Sequence, residues 1–356
     1  MFGVVASLAA LVVAAPAGAS GTPEAPGAAA GFQAGITHTQ QSVDGGSASR
    51  ARAEAVLETV GPLQNQHLMG WGTENPEPAP GVYDWTSLDE RIALVERTGG
   101  VPVITLCSAP GWMKDADDWD MDAAPTPEHY DDFADLAVET ARRYPQVRYF
   151  QVWNEFKGFW DDELNRWDHE GYTEFYNLVH TRLKEHDPDL VVGGPYVSLN
   201  VYADPGRMSH PSELGGDWGT VDQRDLDAVA YWLEHNAGAD FLAVDGWSRT
   251  RDGYHPPAER AGDMFRAVTE WLVDRSDLPV WWSEFYAPLT ADGYESSPAA
   301  IRSVLAGMRD GGASVALWWG PECDGSGFPC VWTSTREADG GRPTDYLPVL
   351  REFSAD

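Results

Sequence analysis

The segment Ser87-Leu-Asp-Glu-Arg-Ile-Ala-Leu-Val-Glu-Arg-Thr-Gly-Gly-Val-Pro-Val-Ile-Thr-Leu106 joins an amphipathic helical pattern directly to a short apolar run. The first part begins with the Ser-x-x-Glu pattern of a capping box, stops at Gly99, and has apolar residues at helical spacing: Leu88, Ile92 and Val95. The second part, Val101–Leu106, is continuously apolar, which is typical of a parallel strand buried on both faces. The segment therefore predicts one helix-and-strand unit of an α/β protein.

Apolar runs of this kind alternate with helical patterns about eight times along the chain. The predicted strands are Phe32–Thr37, Leu63–Leu68, Val101–Leu106, Val147–Trp153, Leu190–Gly194, Phe241–Asp245, Val280–Glu284 and Ser314–Trp318. Eight repeats predict a closed (β/α)₈ TIM barrel in a single domain. An open doubly wound sheet is the alternative, but the sequence has no Gly-rich dinucleotide fingerprint or phosphate loop to support it.

The composition is strongly acidic. The 356 residues include 24 basic and 56 acidic ones, for a net charge of −32, and only three of the basic residues are Lys. Nucleic-acid partners and anionic membranes are excluded on charge grounds, because phosphate binding needs basic clusters. The spread of acidic residues resembles the surface of salt-adapted proteins, with an ordinary acidic secreted protein as the alternative. We expect the melting temperature to rise between low and molar potassium chloride as self-repulsion is screened.

The N-terminus has the pattern of a secretory signal. An apolar run within residues 1–19 ends in Ala-Gly-Ala, a small-residue cleavage site, and residues 20–30 read as a flexible linker. No later run reaches transmembrane length. The barrel is therefore expected over residues 31–356 of a secreted, extracellular protein without a membrane partner after signal removal.

Cysteines and acidic loops give further expectations. Cys323 and Cys330 flank a short Gly- and Pro-containing loop, which favours a local disulfide over two free thiols, whereas Cys107 is expected to be a buried thiol. The acidic segment 115–122 lacks the Gly and the final Glu of an EF-hand loop, so a solvated loop is favoured over calcium binding. We predict no metal and no cofactor.

Two predicted strands end in a glutamate among aromatic residues. The fourth reads Val-Arg-Tyr-Phe-Gln-Val-Trp-Asn-Glu155 and the seventh reads Val-Trp-Trp-Ser-Glu284. Barrel enzymes place catalytic groups at these strand ends, and paired carboxyl groups can cleave a glycosidic bond. Burial among Trp and Tyr would raise the pKa of such a Glu. Either Glu alone could simply pair with a loop Arg, but two on facing strands favour catalysis.

These motifs resemble those of clan A glycoside hydrolases, most closely family 39, the β-xylosidase and iduronidase group. Trp153-Asn154-Glu155 is similar to the acid/base motif, and Trp282-Ser283-Glu284 to the nucleophile segment. Gly81-Val-Tyr-Asp-Trp85 and Val192-Gly-Gly-Pro-Tyr196 also resemble this clan. The resemblance covers about Gly35 to Phe353 and implies a retaining hydrolase of an oligo- or polysaccharide, with Glu155 as acid/base and Glu284 as nucleophile.

The resemblance also implies a set of substrate-binding residues. Asn154 would bind the sugar 2-hydroxyl, while Trp112, Tyr286 and Trp319 would stack on sugar rings, although many of the 16 Trp must serve packing. The clan often has an Arg on strand two and a His or Tyr ending strand six, and this chain departs from both patterns. Further candidates, some as stand-ins for those groups, are His38, Gln66, His67, Tyr196, Asp245 and Trp247.

Two other classes of function compete with hydrolysis. One is a catalytically silent barrel that binds carbohydrate through its aromatic residues, although the presence of both Glu residues argues against it. The other is a metal-dependent barrel enzyme of different chemistry, which the lack of a His/Asp ligand pattern disfavours.

Overall fold

The structure, a computed structural model, describes residues 31–40, 42–208, 210–286, 297–326 and 328–354. The proposed signal and linker, 1–19 and 20–30, lie outside the described residues. Eight parallel strands form the barrel, and β5, β6 and β8–β10 lie outside it. From the first to the eighth barrel strand they are β1 Gln33–Thr37, β2 Leu63–His67, β3 Val101–Leu106, β4 Tyr149–Val152, β7 Val191–Leu199, β11 Phe241–Trp247, β12 Val280–Tyr286 and β13 Val315–Trp319. They close into a barrel in this order, with β13 paired to β1.

Helices follow the strands around the barrel, so the predicted (β/α)₈ class is confirmed. In the described residues they are α1 Ser47–Leu57, α2 Thr86–Arg97, α3 Tyr130–Arg143, α4 His169–His186, α5 Gln223–His235, α6 Asp263–Val273, α7 Pro298–Gly311 and α8 Leu347–Glu352. Short 3₁₀ turns occur at Gly111–Met113, Pro127–His129, Pro205–Arg207 and Ala258–Arg260. Among these helices, none has the length and apolar content to cross a membrane.

Two small sheets lie outside the barrel, in the segments that follow β4 and β7. A hairpin pairs β5 Trp160–Asp161 with β6 Arg166–Trp167, and a three-stranded sheet has the order β8-β10-β9. Its strands are β8 Val201–Tyr202, β9 Pro211–Gly216 and β10 Gly219–Asp222. These strands are too short and too polar to give an apolar run, and the sequence did not predict them.

The capping box predicted before α2 is wrong. Trp85 occupies the N-cap position, and Ser87 lies inside the helix, where its Oγ accepts a hydrogen bond from the Glu74 backbone N–H at 2.7 Å. The predicted stop is correct, because α2 ends at Arg97 and Gly99 has a φ of +73°. The Ser hydroxyl therefore fixes the preceding loop rather than the helix terminus.

A belt of polar side chains crosses the barrel interior just below the carboxyl ends of the strands. Asn65 donates to Thr37 Oγ1 at 3.2 Å, and Thr105 donates to Asn65 Oδ1 at 3.0 Å. Gln151 donates to Thr105 Oγ1 at 3.0 Å and accepts from the Ser283 hydroxyl. Because all five side chains are buried, these bonds satisfy one another and fix the relative heights of the strands. Ser283 precedes Glu284, so the belt also positions that glutamate.

The predicted disulfide is present. Cys323 and Cys330 are bonded with a Cα–Cα distance of 5.1 Å, and Cys107 is a buried free thiol as expected. Trp318, near the end of β13, donates its indole N–H to the Pro329 carbonyl inside the loop that the disulfide closes. The bridge therefore holds a loop against the mouth of the barrel.

Candidate active site

The backbone has left-handed residues just after β4 ends and in the middle of β7. Trp153, Glu155 and Phe156 have φ values of +69°, +50° and +55°, and Tyr196 has +58°. Left-handed conformations of bulky residues cost about 1–3 kcal/mol each and persist only where surrounding structure imposes them. Here the Trp153 indole N–H donates to the Lys157 carbonyl at 2.7 Å and fixes the turn. The turn carries Glu155 at the rim of the barrel mouth.

Three carboxyl groups meet at the barrel mouth. Oxygen atoms of Glu155, Asp245 and Glu284 lie within 4.8 Å of one another. Glu284 and Asp245 are only 2% and 0% exposed, whereas the Glu155 side chain is 21% exposed. Carboxyl groups at this spacing could hold a cation, and one cation in the structure is the ammonium of Lys157, 3.0 Å from Glu155 Oε2.

Two tyrosines hold Glu284. The Tyr196 hydroxyl donates to Glu284 Oε2 at 2.9 Å, and the Tyr286 hydroxyl donates to Oε1. Burial and the charge of Glu155 raise the pKa of Glu284 well above its usual value, while the Tyr196 hydrogen bond and the charge of Lys157 act in the opposite direction. The side chain is therefore oriented by neutral donors in a dry environment.

Glu155 has a charged neighbour that the sequence interpretation missed. Lys157 lies two residues after Glu155, and its Nζ also lies 4.9 Å from the centre of the Trp71 ring. The signal was available, because only three Lys occur in the chain and one stands beside the acid/base candidate. Trp71 was not among the predicted site residues. It follows Gly70 in the loop after β2.

The expectation that burial gives Glu155 a raised pKa is wrong. Burial raises its pKa, but a hydrogen bond with Asp245 and the charge and hydrogen bond of Lys157 outweigh that effect and lower it overall. Asp245 shows the reverse, since burial and the charge of Glu155 raise its pKa well above the usual value. Neither of its oxygens has a hydrogen bond of ordinary geometry among the described residues, and the Ser198 hydroxyl offsets the rise only in part. The two carboxyl groups therefore have opposite pKa shifts, which favour the neutral form of Asp245 and the ionised form of Glu155.

Aromatic rings form one wall of the site. The His67 ring lies 4.5 Å from Trp71 and 5.8 Å from Trp319, and Trp71 lies 6.2 Å from Trp319. Burial and the charge of Lys157 lower the pKa of His67 to about 3, so this imidazole is neutral. Neither of its nitrogens has a partner among the described residues. Neutral, unpaired nitrogens beside half-buried Trp rings suit a polar ligand with apolar faces.

A second aromatic group contains Tyr286, which hydrogen-bonds Glu284. Trp247 lies 4.8 Å from the Tyr286 ring, and Phe328 of the disulfide-closed loop lies 6.1 Å from Trp247 and 5.6 Å from Tyr286. Two of the predicted stacking residues, Tyr286 and Trp319, therefore belong to two separate aromatic groups. Phe328 thus brings the disulfide-closed loop into this second aromatic group.

Other candidates lie farther from the carboxyl groups. His38 is 1% exposed and bonds Gln64 Oε1 at 3.1 Å, and Gln64 in turn bonds Thr98 at the end of α2, so His38 faces the helix layer. Gln66 donates to the backbone carbonyls of His67 and Trp71 and supports that turn.

Trp112 is held on the outer side of the third-strand loop. Its indole N–H donates to the Glu77 carbonyl at 2.8 Å, and its ring packs against His129 at 5.5 Å. Asn154, by contrast, is 2% exposed beside Glu155, and its side-chain oxygen has no partner among the described residues. Of these two candidates, Asn154 is the one that directly adjoins the carboxyl groups in the chain.

The acidic segment after strand three is organised around a lysine. The Lys114 ammonium donates to the carbonyls of Asp118 and Asp120 at 3.3 and 2.7 Å and to Ser108 Oγ at 3.2 Å. Asp118 Oδ1 accepts from the Gly111 backbone at 2.6 Å. The Lys114 ammonium thus binds backbone carbonyl oxygens of the kind that coordinate a calcium ion.

Comparisons with known proteins give structural matches only. No protein-family model and no curated protein sequence matches the chain. A monomeric β-xylosidase from Caulobacter crescentus CB15 superposes with a TM-score of 0.62 at 19% identity, covering 91% of this chain and 68% of that one. A family 39 glycoside hydrolase from Xanthomonas axonopodis pv. citri gives 0.61 at 18% identity over 93% and 67% of the two chains.

The chain has the barrel fold of the family 39 glycoside hydrolases. A β-glycosidase, BGL167, is also similar, with a TM-score of 0.65 at 14% identity over 91% of this chain and 96% of that one. The predicted resemblance to a clan A, family 39-like TIM barrel is thereby confirmed as a likeness of fold. At these sequence identities the likeness is one of fold, and the activities named for the neighbours are properties of those proteins.

Proposed function

We propose that the protein is a retaining glycoside hydrolase. The observation that carries the proposal is the spacing of the carboxyl groups of Glu155 and Glu284, which follow β4 and lie near the end of β12. One oxygen of each lies within 4.8 Å of the other. Retaining enzymes hold these groups about 5–5.5 Å apart, whereas inverting enzymes need about 6.5–9.5 Å to admit water. The spacing supports double displacement, and the glycosidase neighbours of the same fold support cleavage of a glycosidic bond.

In this mechanism Glu284 attacks the anomeric carbon while a proton from Glu155 passes to the leaving oxygen. A covalent glycosyl-enzyme forms, and the C–O bond to the leaving group breaks. Glu155 then takes a proton from water, the water oxygen attacks the anomeric carbon, and the Glu284 carboxylate is released. The donors on Glu284, from Tyr196 and Tyr286, orient it for the first attack.

Asp245 supplies the proton that the nearby Lys157 ammonium makes it harder for Glu155 to hold. An ammonium 3.0 Å from Glu155 favours the ionised form, which cannot act as an acid. The buried Asp245 carboxyl retains a proton and hydrogen-bonds Glu155, so a short shift of that proton makes Glu155 the acid when the leaving oxygen gains charge. The acid/base unit is accordingly a pair of carboxyl groups.

A secreted, extracellular enzyme is part of the proposal. The disulfide between Cys323 and Cys330 supports an oxidising compartment, since cytosolic thiols are kept reduced. The partner is an oligo- or polysaccharide, which the Trp and Tyr rings beside the carboxyl groups suit.

A second candidate is a carbohydrate-binding barrel without hydrolysis. The observation that favours it is the Lys157–Glu155 ion pair, which opposes acid catalysis. A panel of nitrophenyl glycosides and polysaccharides, assayed in low and high salt, separates the two. Hydrolysis with a retained anomer, measured by proton NMR of the first product, supports the enzyme. An inverted anomer overturns the retaining mechanism, and saccharide binding with no turnover supports the silent barrel.

A further inference from the structure

Two arginines beside the site have no salt-bridge partner among the described residues. Arg249 and Arg251 follow strand β11, and neither forms an ion pair with any of the residues that the structure describes. This is unexpected in a chain of net charge −32, where carboxylates greatly outnumber cations. Unpaired guanidinium groups at the mouth of a barrel are therefore available to an external anion.

The two arginines line a built pocket. With Ser198, Asn200 and Trp247 they line a small cleft whose cavity volume is about 20 Å³, which is room for a single small polar group while the rest of a ligand lies outside. The Arg249 guanidinium lies 4.9 Å from the centre of the Trp247 ring, and Arg251 Nε donates to Asn200 Oδ1.

Buried groups fix the scaffold of this pocket. Asn200 donates from its backbone and its side chain to the buried Asp225 Oδ2 at 2.6 and 3.0 Å. The Arg251 backbone N–H donates to the Val201 carbonyl at 2.7 Å. Both sides of the pocket are thus anchored, and the terminal guanidinium nitrogens of Arg251 remain on the exposed side.

The pocket adjoins the acid/base side of the catalytic centre. Ser198 is the register partner of Asp245 in the barrel, and Trp247 lies two residues beyond Asp245. Arg251 is close enough to Glu155 for its positive charge to act on that carboxylate. The group next to Glu155 in the mechanism is the leaving group, so an anion in this pocket belongs to the leaving-group side.

We propose that Arg249 and Arg251 form a subsite for an acidic sugar residue, carrying a carboxylate or sulfate, in the leaving-group part of the substrate. The assignment rests on the proposed glycosidase function. Guanidinium groups bind carboxylate and sulfate with paired, charge-assisted hydrogen bonds, and the Trp247 ring fixes the position of the Arg249 guanidinium. The subsite selects acidic over neutral saccharides that share the same cleaved sugar.

The test compares two disaccharides that differ only in the reducing-end residue, glucose in one and glucuronate in the other. Their cleaved sugar is the one identified with nitrophenyl glycosides, and both are assayed at one fixed ionic strength. The wild-type protein should prefer the glucuronate disaccharide, and Arg249→Gln with Arg251→Gln should lower kcat/KM for it by about 10- to 100-fold. Turnover of the glucose disaccharide should change less than about twofold.

The matched control is Arg275→Gln, because Arg275 also lies over an indole ring, 4.0 Å from Trp271, on the far side of α6. It removes the same charge and should leave both rates unchanged. Equal rates on the two disaccharides in the wild-type protein, or equal losses in the double variant, overturn the subsite.

A binding experiment separates the subsite from the enzyme proposal. Calorimetry with glucuronate and Glu284→Gln protein needs no turnover. Binding that the two arginine substitutions abolish supports the subsite even if no saccharide is cleaved, which then counts against the hydrolase alone. No detectable binding, together with cleavage that ignores the carboxylate, overturns the subsite and leaves the hydrolase standing.

Discussion

Glu284 and Glu155 end strands of the same barrel, yet their surroundings differ in kind. Glu284 is 2% exposed and receives hydrogen bonds from two neutral tyrosines, whereas Glu155 is 21% exposed in its side chain and pairs with an ammonium and a carboxyl group. In the proposed mechanism, identical side chains take different tasks because their neighbours differ. A dry, rigidly oriented carboxylate suits nucleophilic attack, and a carboxylate with a proton-holding partner suits acid and base catalysis.

The two environments are linked through charge. Three carboxyl groups within 4.8 Å share one ammonium, so their protons bind with apparent pKa values that belong to the cluster. In the proposed mechanism the productive form has one proton, held by the Glu155–Asp245 pair, and an ionised Glu284, so this form is populated only above the raised pKa of Glu284. A bell-shaped pH profile follows, whose acid limb reports Glu284 and whose alkaline limb reports loss of the shared proton.

The largest expected effect separates the two glutamates by leaving group. Glu284→Gln should lower kcat/KM by at least about 10⁴-fold on every substrate, because no covalent intermediate can form. Glu155→Ala should cause a similar loss only with poor leaving groups and spare activated nitrophenyl glycosides, which need no acid. Rates measured across aryl glycosides of different leaving-group acidity check this.

Azide sharpens this test. It should restore turnover of Glu155→Ala by attacking the accumulated glycosyl-enzyme, and it should do nothing for Glu284→Gln. Glu163→Gln, in an exposed loop, is the matched control and should keep wild-type rates. Near-normal activity of Glu284→Gln would mean that the carboxyl groups are wrongly paired.

The sequence predicted the barrel well and the site only in part. All eight strands were found because strands buried on both faces leave continuous apolar runs, and both glutamates were found because strand ends are fixed in the sequence. The pKa of Glu155 was predicted in the wrong direction, because it depends on where Lys157 and Asp245 point. The side chain of His38 faces α2 for the same kind of reason, since one residue decides which side of a strand it occupies.

The next largest effect concerns the proton on the Glu155 side. Asp245→Asn keeps the shape but cannot pass a proton, so kcat/KM should fall roughly 100-fold on poor leaving groups and little on activated ones. The alkaline limb should move to lower pH, because the amide donates to Glu155 and favours its ionised form. Melting should change little, since no well-formed protein donor is lost at Asp245. A loss that is independent of the leaving group would exclude the shared-proton model.

A smaller effect is expected on the Glu284 side. Tyr196→Phe removes a donor that lowers the pKa of Glu284, so its pKa should rise and the acid limb should move to higher pH. The rate should fall about 10- to 100-fold, the range for a hydrogen bond to a charged group. Tyr176→Phe, which removes a buried hydrogen bond to the Gly238 carbonyl, is the control and should leave the pH profile unchanged. An unmoved acid limb in Tyr196→Phe would contradict the role given to this tyrosine.

The smallest expected effect tests whether the lysine sets the working pH. Lys157 lowers the pKa of both Glu155 and Glu284, so Lys157→Met should raise both and move both limbs of the profile to higher pH. The maximal rate should change less than about tenfold, because the pair is partly exposed and Asp245 still holds the proton.

Two control variants tie this shift to the charge beside Glu155. Lys157→Arg keeps that charge and should restore the wild-type profile. Lys184→Met breaks an ion pair with Asp240 of similar geometry, 2.6 Å, away from the carboxyl groups, and should shift nothing. If the profile of Lys157→Met matches that of the wild type, the ammonium does not touch Glu155 in the working enzyme. The contrast between the two glutamates would then rest on Asp245 and the tyrosines alone.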